Sequence, residues 1–164
     1  MKKLISLKSL TAALDGFRKK KNPPRVVFTN GCFDIIHAGH VRYLTKARSL
    51  GDILVVGLNS DSSVRQIKGE RRPIIPEKER AEVMAALSFV DYVVIFKEPT
   101  PVKLIAALKP DILVKGADWA ASAIAGGDIV KANGGKIRRI TLIKGRSTTN
   151  IIKRILELHR KKEE

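Results

Sequence analysis

The chain alternates short β-branched runs with longer segments whose apolar residues recur at helical spacing. This alternation is typical of a parallel sheet with helices on both faces, since parallel strands need a crossover connection. We therefore predict an α/β fold, a doubly wound five-stranded parallel sheet with "RVVFTN" in the middle. The predicted strands are "RVVFTN", "DILVVGLN", "DYVVIF", "DILVKG" and "KIRRITLI".

Amphipathic segments between these runs predict the helices. They are "SLTAALDGF", "HVRYLTKARSLG", "IPEKERAEVMAALSFV", "TPVKLIAALK", the weaker "AIAGGDIVKANGG" and "STTNIIKRILELHRKK". No internal repeat, low-complexity tract or linker interrupts them, and 164 residues is a one-domain length. We expect a single domain over 1–164, with a leading helix and basic flank over 1–24 and a core carrying the site over 25–160.

The longest apolar runs are too short to span a bilayer, and the basic start "MKKLISLKSL" lacks the apolar stretch of a signal peptide. The lone Cys32 forbids an intramolecular disulfide and provides no metal cluster, which fits a reducing compartment. We expect a cytoplasmic protein without a membrane partner.

The net charge is +16, from 32 Lys and Arg against 16 Asp and Glu. Such an excess fits a solubilising surface, a nucleic-acid partner or phosphate-rich substrates. Nucleic-acid binding is disfavoured, because zinc-finger spacing and a basic strand with interleaved aromatics are both missing, and aromatic residues make up only 5%.

The exit of the first strand, "TNGCFDIIHAGH", carries two of the three histidines. Gly31 and Gly39 let the backbone approach a ligand, and the start of the following helix attracts anions. His37 and His40 fall on one side of that first turn, since residues three apart are helix neighbours. A structural histidine pair or a metal site are the alternatives, but zinc needs more ligands than this stretch supplies. The pair therefore favours a polyphosphate, and no metal site is assigned.

Three more polar stretches follow strands. "KGADW" places Gly116 and Asp118 at a strand exit, although such a turn is common. "STTN" opens the last helix with hydroxyls and free amides, which suits an anion or plain helix capping. Within "NSDSSVRQIKGERRPIIP" the cations Lys68, Arg71 and Arg72 beside Gly69 form either a mobile phosphate clamp or a solvated basic loop. In a parallel sheet the carboxyl ends of all strands share one edge, so we expect these stretches to converge.

The motif "GCFDIIHAGH" resembles the H-x-G-H signature of the cytidylyltransferase-like nucleotidyltransferases, and "STTNIIKRI" resembles their second signature. The stretches "LNSDSSV", "IKGERRPI", "VDYVVIF" and "TPVKLIAALKPDILVKGADW" further resemble the branch that adenylylates D-glycero-β-D-manno-heptose 1-phosphate. The likeness runs from Arg25 onward and departs from the branch's K-G-G-D-Y pattern at Ala117 and Trp119. It implies a Rossmann-like nucleotidyltransferase fold and the transfer of an adenylyl group from ATP to a sugar 1-phosphate.

The resemblance also implies roles for single residues. His37 and His40 would contact the nucleotide phosphates and stabilise the transition state, while Lys68 and Arg72 would bridge the two substrates and Asp61 would touch the sugar. Arg80 either matches an arginine of related cytidylyltransferases or braces its helix or a dimer interface. The remaining nucleotide-binding residues would be Asn30, Gly31, Cys32, Phe33, Gly116, Asp118, Ser147, Thr148 and Thr149.

Magnesium would arrive with ATP, since the sequence shows no acidic cluster to hold it. Members of this branch are often fused to a sugar-kinase domain. The resemblance therefore implies a sugar kinase that acts upstream, here expected as a separate protein, and it leaves a homodimer open. The nearest rival is a CTP-dependent cytidylyltransferase for glycerol 3-phosphate or a similar alcohol phosphate, which shares both signatures. A basic nucleic-acid-binding domain is the rival from another class.

Overall fold

A five-stranded parallel sheet forms the centre of the computed structural model, which describes residues 3–143 and 145–160. Its strands are β1 (Val26–Gly31), β2 (Ile53–Asn59), β3 (Tyr92–Phe96), β4 (Ile112–Gly116) and β5 (Lys136–Ile140). They lie in the order β3-β2-β1-β4-β5, and every pairing is parallel. The predicted doubly wound sheet with "RVVFTN" in its middle is confirmed.

The helices cover both faces of this sheet. Their bounds are α1 (Leu7–Arg18), α2 (Ala38–Arg48), α3 (Asp61–Lys68), α4 (Glu77–Ala86), α5 (Val102–Leu108), α6 (Gly127–Ala132) and α7 (Thr148–Arg160), and a short 3-10 turn covers Ala121–Ala123. Leucines of α1 and α5 pack with Val130 of α6 on one face, and α2 and α4 pack on the other. No helix in the described ranges has both the length and the apolar character needed to cross a bilayer.

Alternation along the strands separates the two cores. In β1 the side chain of Val27 belongs to the core under α2 and α4, whereas that of Phe28 belongs to the core under α1, α5 and α6. Successive strand residues point to opposite faces, so a strand buried on both sides becomes an uninterrupted apolar run. This is why "RVVFTN" and "DILVVGLN" contain such runs.

Helix α3 was not predicted, because its sequence is rich in serine and charge. Ser60 caps its start by accepting a hydrogen bond from the Ser63 amide at 3.2 Å, and Val64 is fully buried. The expectation that Lys68 belongs to a loop is therefore wrong, because Lys68 is the last residue of α3.

The strand order reverses direction at β1, between β2 and β4. Ligands of open α/β sheets bind beyond the carboxyl ends of the strands at such a switch point. The two edges differ: residues 3–5 bond to Val93 along β3, while β5 forms the other edge with exposed Lys136, Arg138 and Arg139.

Candidate active site

A cavity of about 620 Å³ opens beyond the carboxyl ends of β1 and β4, at the switch point. Its lining combines the histidine turn, "KGADW" and the start of α7 with cations from the segment after β2. The structure thus brings together the stretches that the sequence predicted to converge. The predicted site residues that line it are Asn30, Gly31, Cys32, Phe33, His37, His40, Lys68, Arg72, Gly116, Asp118, Ser147, Thr148 and Thr149.

The two histidines form a stacked pair at the start of α2. His37 is the N-cap residue of that helix, and its ring centroid lies 3.8 Å from that of His40 at an interplanar angle of 21°. The Nδ1 atoms of both rings are buried and have no hydrogen-bond partner among the described residues. Gly39 is needed beside them, because a Cβ there would lie 2.9 Å from the His37 ring. Buried polar atoms without partners are rare, so these two nitrogens make the pair a candidate binding position.

The surroundings keep both imidazoles neutral. Burial, helped by the neighbouring His37, lowers the pKa of His40 to about 4. Burial and the nearby Arg146 lower the pKa of His37 below its usual value. A neutral imidazole carries one N–H donor and one acceptor, so at neutral pH each ring can donate one hydrogen bond to a phosphate oxygen.

The start of α7 is tied to the histidine turn. The Ser147 hydroxyl accepts a hydrogen bond from the Asn150 amide at 3.1 Å, so the capping alternative is realised at this residue. The Thr148 hydroxyl donates to the Ile35 carbonyl at 3.5 Å. The first turn of α7 contains no acidic residue, so no carboxylate there offsets the positive end of the helix dipole beside the cavity.

Asp34 anchors the segment that carries Arg72. Its fully buried side chain accepts a hydrogen bond from Arg72 Nε at 2.5 Å and from the amides of Ile74 and Ile75 at 2.9 Å. Burial alone would raise the pKa of this carboxyl, but the bonds from Ile75, Ile74 and Arg72 outweigh it and lower the pKa below its ordinary value. Asp34 therefore stays ionised and holds Arg72 at the cavity.

Lys68 and Asp61 lie at opposite ends of α3. Lys68 is exposed at the cavity rim and precedes Gly69, whose φ of 91° ends the helix. Asp61 lies outside the cavity lining, and its Oδ1 accepts a hydrogen bond from Arg80 Nη2 at 2.7 Å. The predicted contact between Asp61 and a sugar therefore stays a prediction.

Arg80 braces the fold beneath the site. It is 1% exposed, lies outside the cavity lining and donates to the carbonyls of Cys32 (2.5 Å), Asn59 (2.9 Å) and Ile75 (2.8 Å). These bonds tie α4 to the exits of β1 and β2. Among the roles left open for Arg80, these contacts correspond to the one in which it braces its own helix.

Three charged cavity residues were not predicted as site residues: Asp34, Lys115 and Arg146. Each lies inside or directly beside a stretch that was singled out, namely "TNGCFDIIHAGH", "KGADW" and "STTN". Their position within or next to those stretches was the signal in the sequence that could have identified them as site residues. Lys144, the other cation before "STTN", lies outside the described residues.

A metal would find few protein ligands in this cavity. Within residues 3–143 and 145–160, no group of three or more His, Cys, Asp or Glu side chains is placed to hold an ion. Asp34 is already saturated by Arg72 and two amides, which leaves Asp118 as the other carboxylate in the lining. This donor set does not form a protein-only magnesium site.

Comparisons with known proteins identify the family of this chain. The family model described as Cytidylyltransferase-like matches residues 28–155. Curated relatives named "Bifunctional protein HldE" include one from Pelobacter propionicus, 58% identical over 139 residues, covering 85% of this chain and 28% of that protein. Another, from Campylobacter concisus, is 58% identical over 153 residues, covering 93% and 31%. The chain therefore spans less than a third of the length of these relatives.

Solved structures resemble the fold. A lipopolysaccharide core biosynthesis protein from Thermoplasma volcanium is 31% identical with a TM-score of 0.64, covering 74% of this chain and 99% of that one. A pantoate-beta-alanine ligase from Francisella tularensis, 14% identical, has a TM-score of 0.62 over 90% of this chain and 74% of its own, which is a likeness of fold.

Proposed function

The chain belongs to the cytidylyltransferase-like family, and from that premise we propose that it transfers the adenylyl group of ATP to a sugar 1-phosphate. The products are an ADP-sugar and pyrophosphate, and the proposed acceptor is D-glycero-β-D-manno-heptose 1-phosphate. One observation carries the proposal: a single cavity contains a neutral histidine pair, a helix start without an acidic residue and four cations. Such a site suits two phosphorylated substrates.

The proposed reaction is an in-line displacement at the α-phosphorus of ATP. A phosphate oxygen of the sugar 1-phosphate forms a new bond to this phosphorus, and the bond to the oxygen that bridges the α- and β-phosphates breaks. Pyrophosphate leaves with that electron pair. The second pKa of a phosphate monoester is about 6, so the attacking oxygen is already ionised at neutral pH and needs no general base. Catalysis then consists of positioning and charge stabilisation.

His37 and His40 would donate to the phosphoryl oxygens on which charge builds up. Their rings are fixed by mutual stacking and by the start of α2, so little reorganisation is needed during the reaction. Ser147, Thr148 and Thr149 would bind the outer phosphates at the start of α7. Backbone from Asn30 to Phe33 would follow the phosphate chain, and Gly116 and Asp118 would line the base and ribose pocket.

Lys68 and Arg72 would neutralise the sugar phosphate as it approaches ATP. Arg72 is held through Nε by Asp34, so its terminal amino groups remain available for phosphate oxygens. Lys68 at the cavity rim has the flexible stem of a lysine and could close over both substrates. Together they would reduce the repulsion between two anions, which is required before in-line geometry can form.

Magnesium is proposed as part of the substrate, bound to the ATP phosphates. The protein would contribute no dedicated ligand set, in line with the carboxylates described above. A sugar kinase acting upstream is the proposed source of the phosphorylated acceptor. A homodimer stays a prediction, which sedimentation of the purified protein would test.

The deciding experiment measures pyrophosphate release with ATP, CTP, GTP and UTP against heptose 1-phosphate, other sugar phosphates and glycerol 3-phosphate. We expect release with ATP and a sugar 1-phosphate, together with an ADP-sugar in equal amount. Faster release with CTP and glycerol 3-phosphate would favour the rival enzyme. Binding to nucleic acid that falls steeply with salt, without any pyrophosphate release, would favour the basic binding domain.

A further inference from the structure

Lys115 is a half-buried cation in the cavity that the mechanism above does not use. It lies near the carboxyl end of β4, beside β1 at the switch point. Phe28 and Leu113 are register partners and belong to the same core cluster. Asn30 of β1 and Lys115 of β4 each lie two residues further along, so their side chains are on the same face of the sheet as those of Phe28 and Leu113. The register thus delivers these two side chains to the same place.

The contacts of Lys115 hold its ammonium without neutralising it. Nζ donates to Asn30 Oδ1 at 2.5 Å and lies 5.7 Å from the centroid of the Trp119 ring. Both partners are uncharged, and none of the ion pairs among the described residues involves Lys115. An ammonium has three donors, so two remain for a ligand. A half-buried charge without a carboxylate in direct contact is costly in free energy unless an anion binds beside it.

The charged surroundings define how this ammonium titrates. Burial lowers the pKa of Lys115 to about 8, although Asp118 and Cys32 act in the opposite direction. On the neighbouring strand β5, Arg139 is the register partner of Lys115 and donates to the Trp119 carbonyl. Around pH 8 a substantial fraction of the amine is therefore neutral in the free protein.

We infer that Lys115 is a further substrate-binding residue whose ammonium contacts a phosphate oxygen of one of the two substrates. This inference rests on the proposed function, because that function supplies the phosphates. Binding then has a measurable consequence: an anion beside Nζ favours the protonated form, so the complex takes up a proton that the free protein lacks.

The test is calorimetric titration at pH 8 with magnesium–ATP and, separately, with heptose 1-phosphate. Each titration is run in two buffers of different ionisation enthalpy, which yields the number of protons taken up. For the substrate that contacts Lys115 we expect uptake of about half a proton, because the pKa of Lys115 in the unliganded protein is close to the pH of the titration. The arm in which uptake occurs identifies whether the phosphate belongs to the nucleotide or to the sugar.

Two variants of Lys115 distinguish the effect of its positive charge on affinity from the effect of its protonation on proton uptake. Lys115→Met should abolish the uptake and weaken binding of that substrate by about tenfold to a hundredfold, the scale of one charged hydrogen bond. Lys115→Arg should keep much of the affinity yet also abolish the uptake, because a guanidinium stays protonated. The matched control is Lys8→Met, an exposed lysine of α1 outside the cavity lining, which should retain the uptake.

The outcomes distinguish the two proposals. Binding of both substrates without proton uptake, or with uptake unchanged in Lys115→Arg, overturns the inference about Lys115 alone. Binding with Lys115-dependent uptake but without pyrophosphate release overturns the proposed function and keeps the inference. Failure of the wild-type protein to bind either substrate overturns both.

Discussion

The carboxylate of Asp34 holds Arg72 in place: Oδ2 lies 2.5 Å from Nε, and the same carboxylate accepts the amides of the two residues after Pro73. One buried side chain thus fixes the course of the segment that brings a cation to the cavity. Because the carboxylate makes no other contribution to the proposed chemistry, its replacement isolates the effect of positioning.

Asp34→Asn should reduce kcat/KM for the sugar phosphate by about tenfold to a hundredfold, the scale of one charge-assisted hydrogen bond. ATP affinity should change much less, since the histidines and α7 remain in place. Steady-state kinetics combined with ATP calorimetry checks this, with the exposed Asp128→Asn as control. An equal loss of ATP affinity would mean that Asp34 supports the whole site.

His37→Ala and His40→Ala should each lower turnover by about two to three orders of magnitude, the typical loss for one preorganised donor. Nucleotide affinity should change far less, because the donors are proposed to act mainly in the transition state. Single-turnover kinetics and ATP calorimetry separate the two effects. His159→Ala, in an exposed part of α7, is the matched control. Normal turnover with weakened ATP binding would contradict the role.

The stability of the protein should fall as pH decreases from about 6.5 toward 4. In the fold the pKa of His40 is lowered from 6.5 to about 4, so over this range the unfolded chain binds a proton that the folded one resists. The contribution is fully present above pH 6.5. Urea unfolding at several pH values should report up to about one extra proton bound on unfolding, reduced in His40→Gln. The same slope in both proteins would contradict the burial of His40 as its source.

Lys68→Ala should abolish most activity and raise KM for the sugar phosphate, while ATP binding and the fold persist. Its ammonium at the cavity rim is proposed to offset the repulsion between the two substrates. Lys68→Arg should restore activity only in part, because a planar fork does not replace a point charge in a confined site. The check is steady-state kinetics on both variants. Near-normal turnover in Lys68→Ala would make this residue an ordinary solvated surface lysine.

Arg80→Met should lower the stability of the fold, and any loss of activity should follow from that destabilisation. The change removes bonds to three backbone carbonyls and leaves Asp61 without its cation, so we expect a loss of about 3 to 5 kcal/mol in the free energy of unfolding. Denaturant titration measures this, with the exposed Arg65→Met as control. A stable variant without activity would instead indicate that Arg80 contacts a substrate.

The sheet and the meeting of the motifs were predictable, because both follow from alternation along the chain. Once "RVVFTN" and "DILVKG" are parallel strands, the residues after them must share one edge. Helix α3 escaped prediction because a serine cap and the buried Val64 stabilise it in place of an apolar stripe.

Side-chain partnerships across long stretches of sequence were not predictable. The contact between Asn30 and Lys115 joins residues 85 positions apart, and it depends on the register between β1 and β4. The bracing role of Arg80 likewise depends on three carbonyls from separate segments. Sequence patterns indicate which face a residue occupies, but such partners emerge only when the elements are packed.

The exposed cations of β5 have a consequence for how molecules of this protein meet one another. An open edge strand presents free backbone donors and acceptors on which a strand from another chain can add, and so begin aggregation. Residues 3–5 bond along β3, whereas Lys136, Arg138 and Arg139 stand along β5. If the β5 edge of a second copy approached the β5 edge of the first, these like charges would be brought together. Part of the positive surplus of the chain thus protects the sheet from unwanted extension.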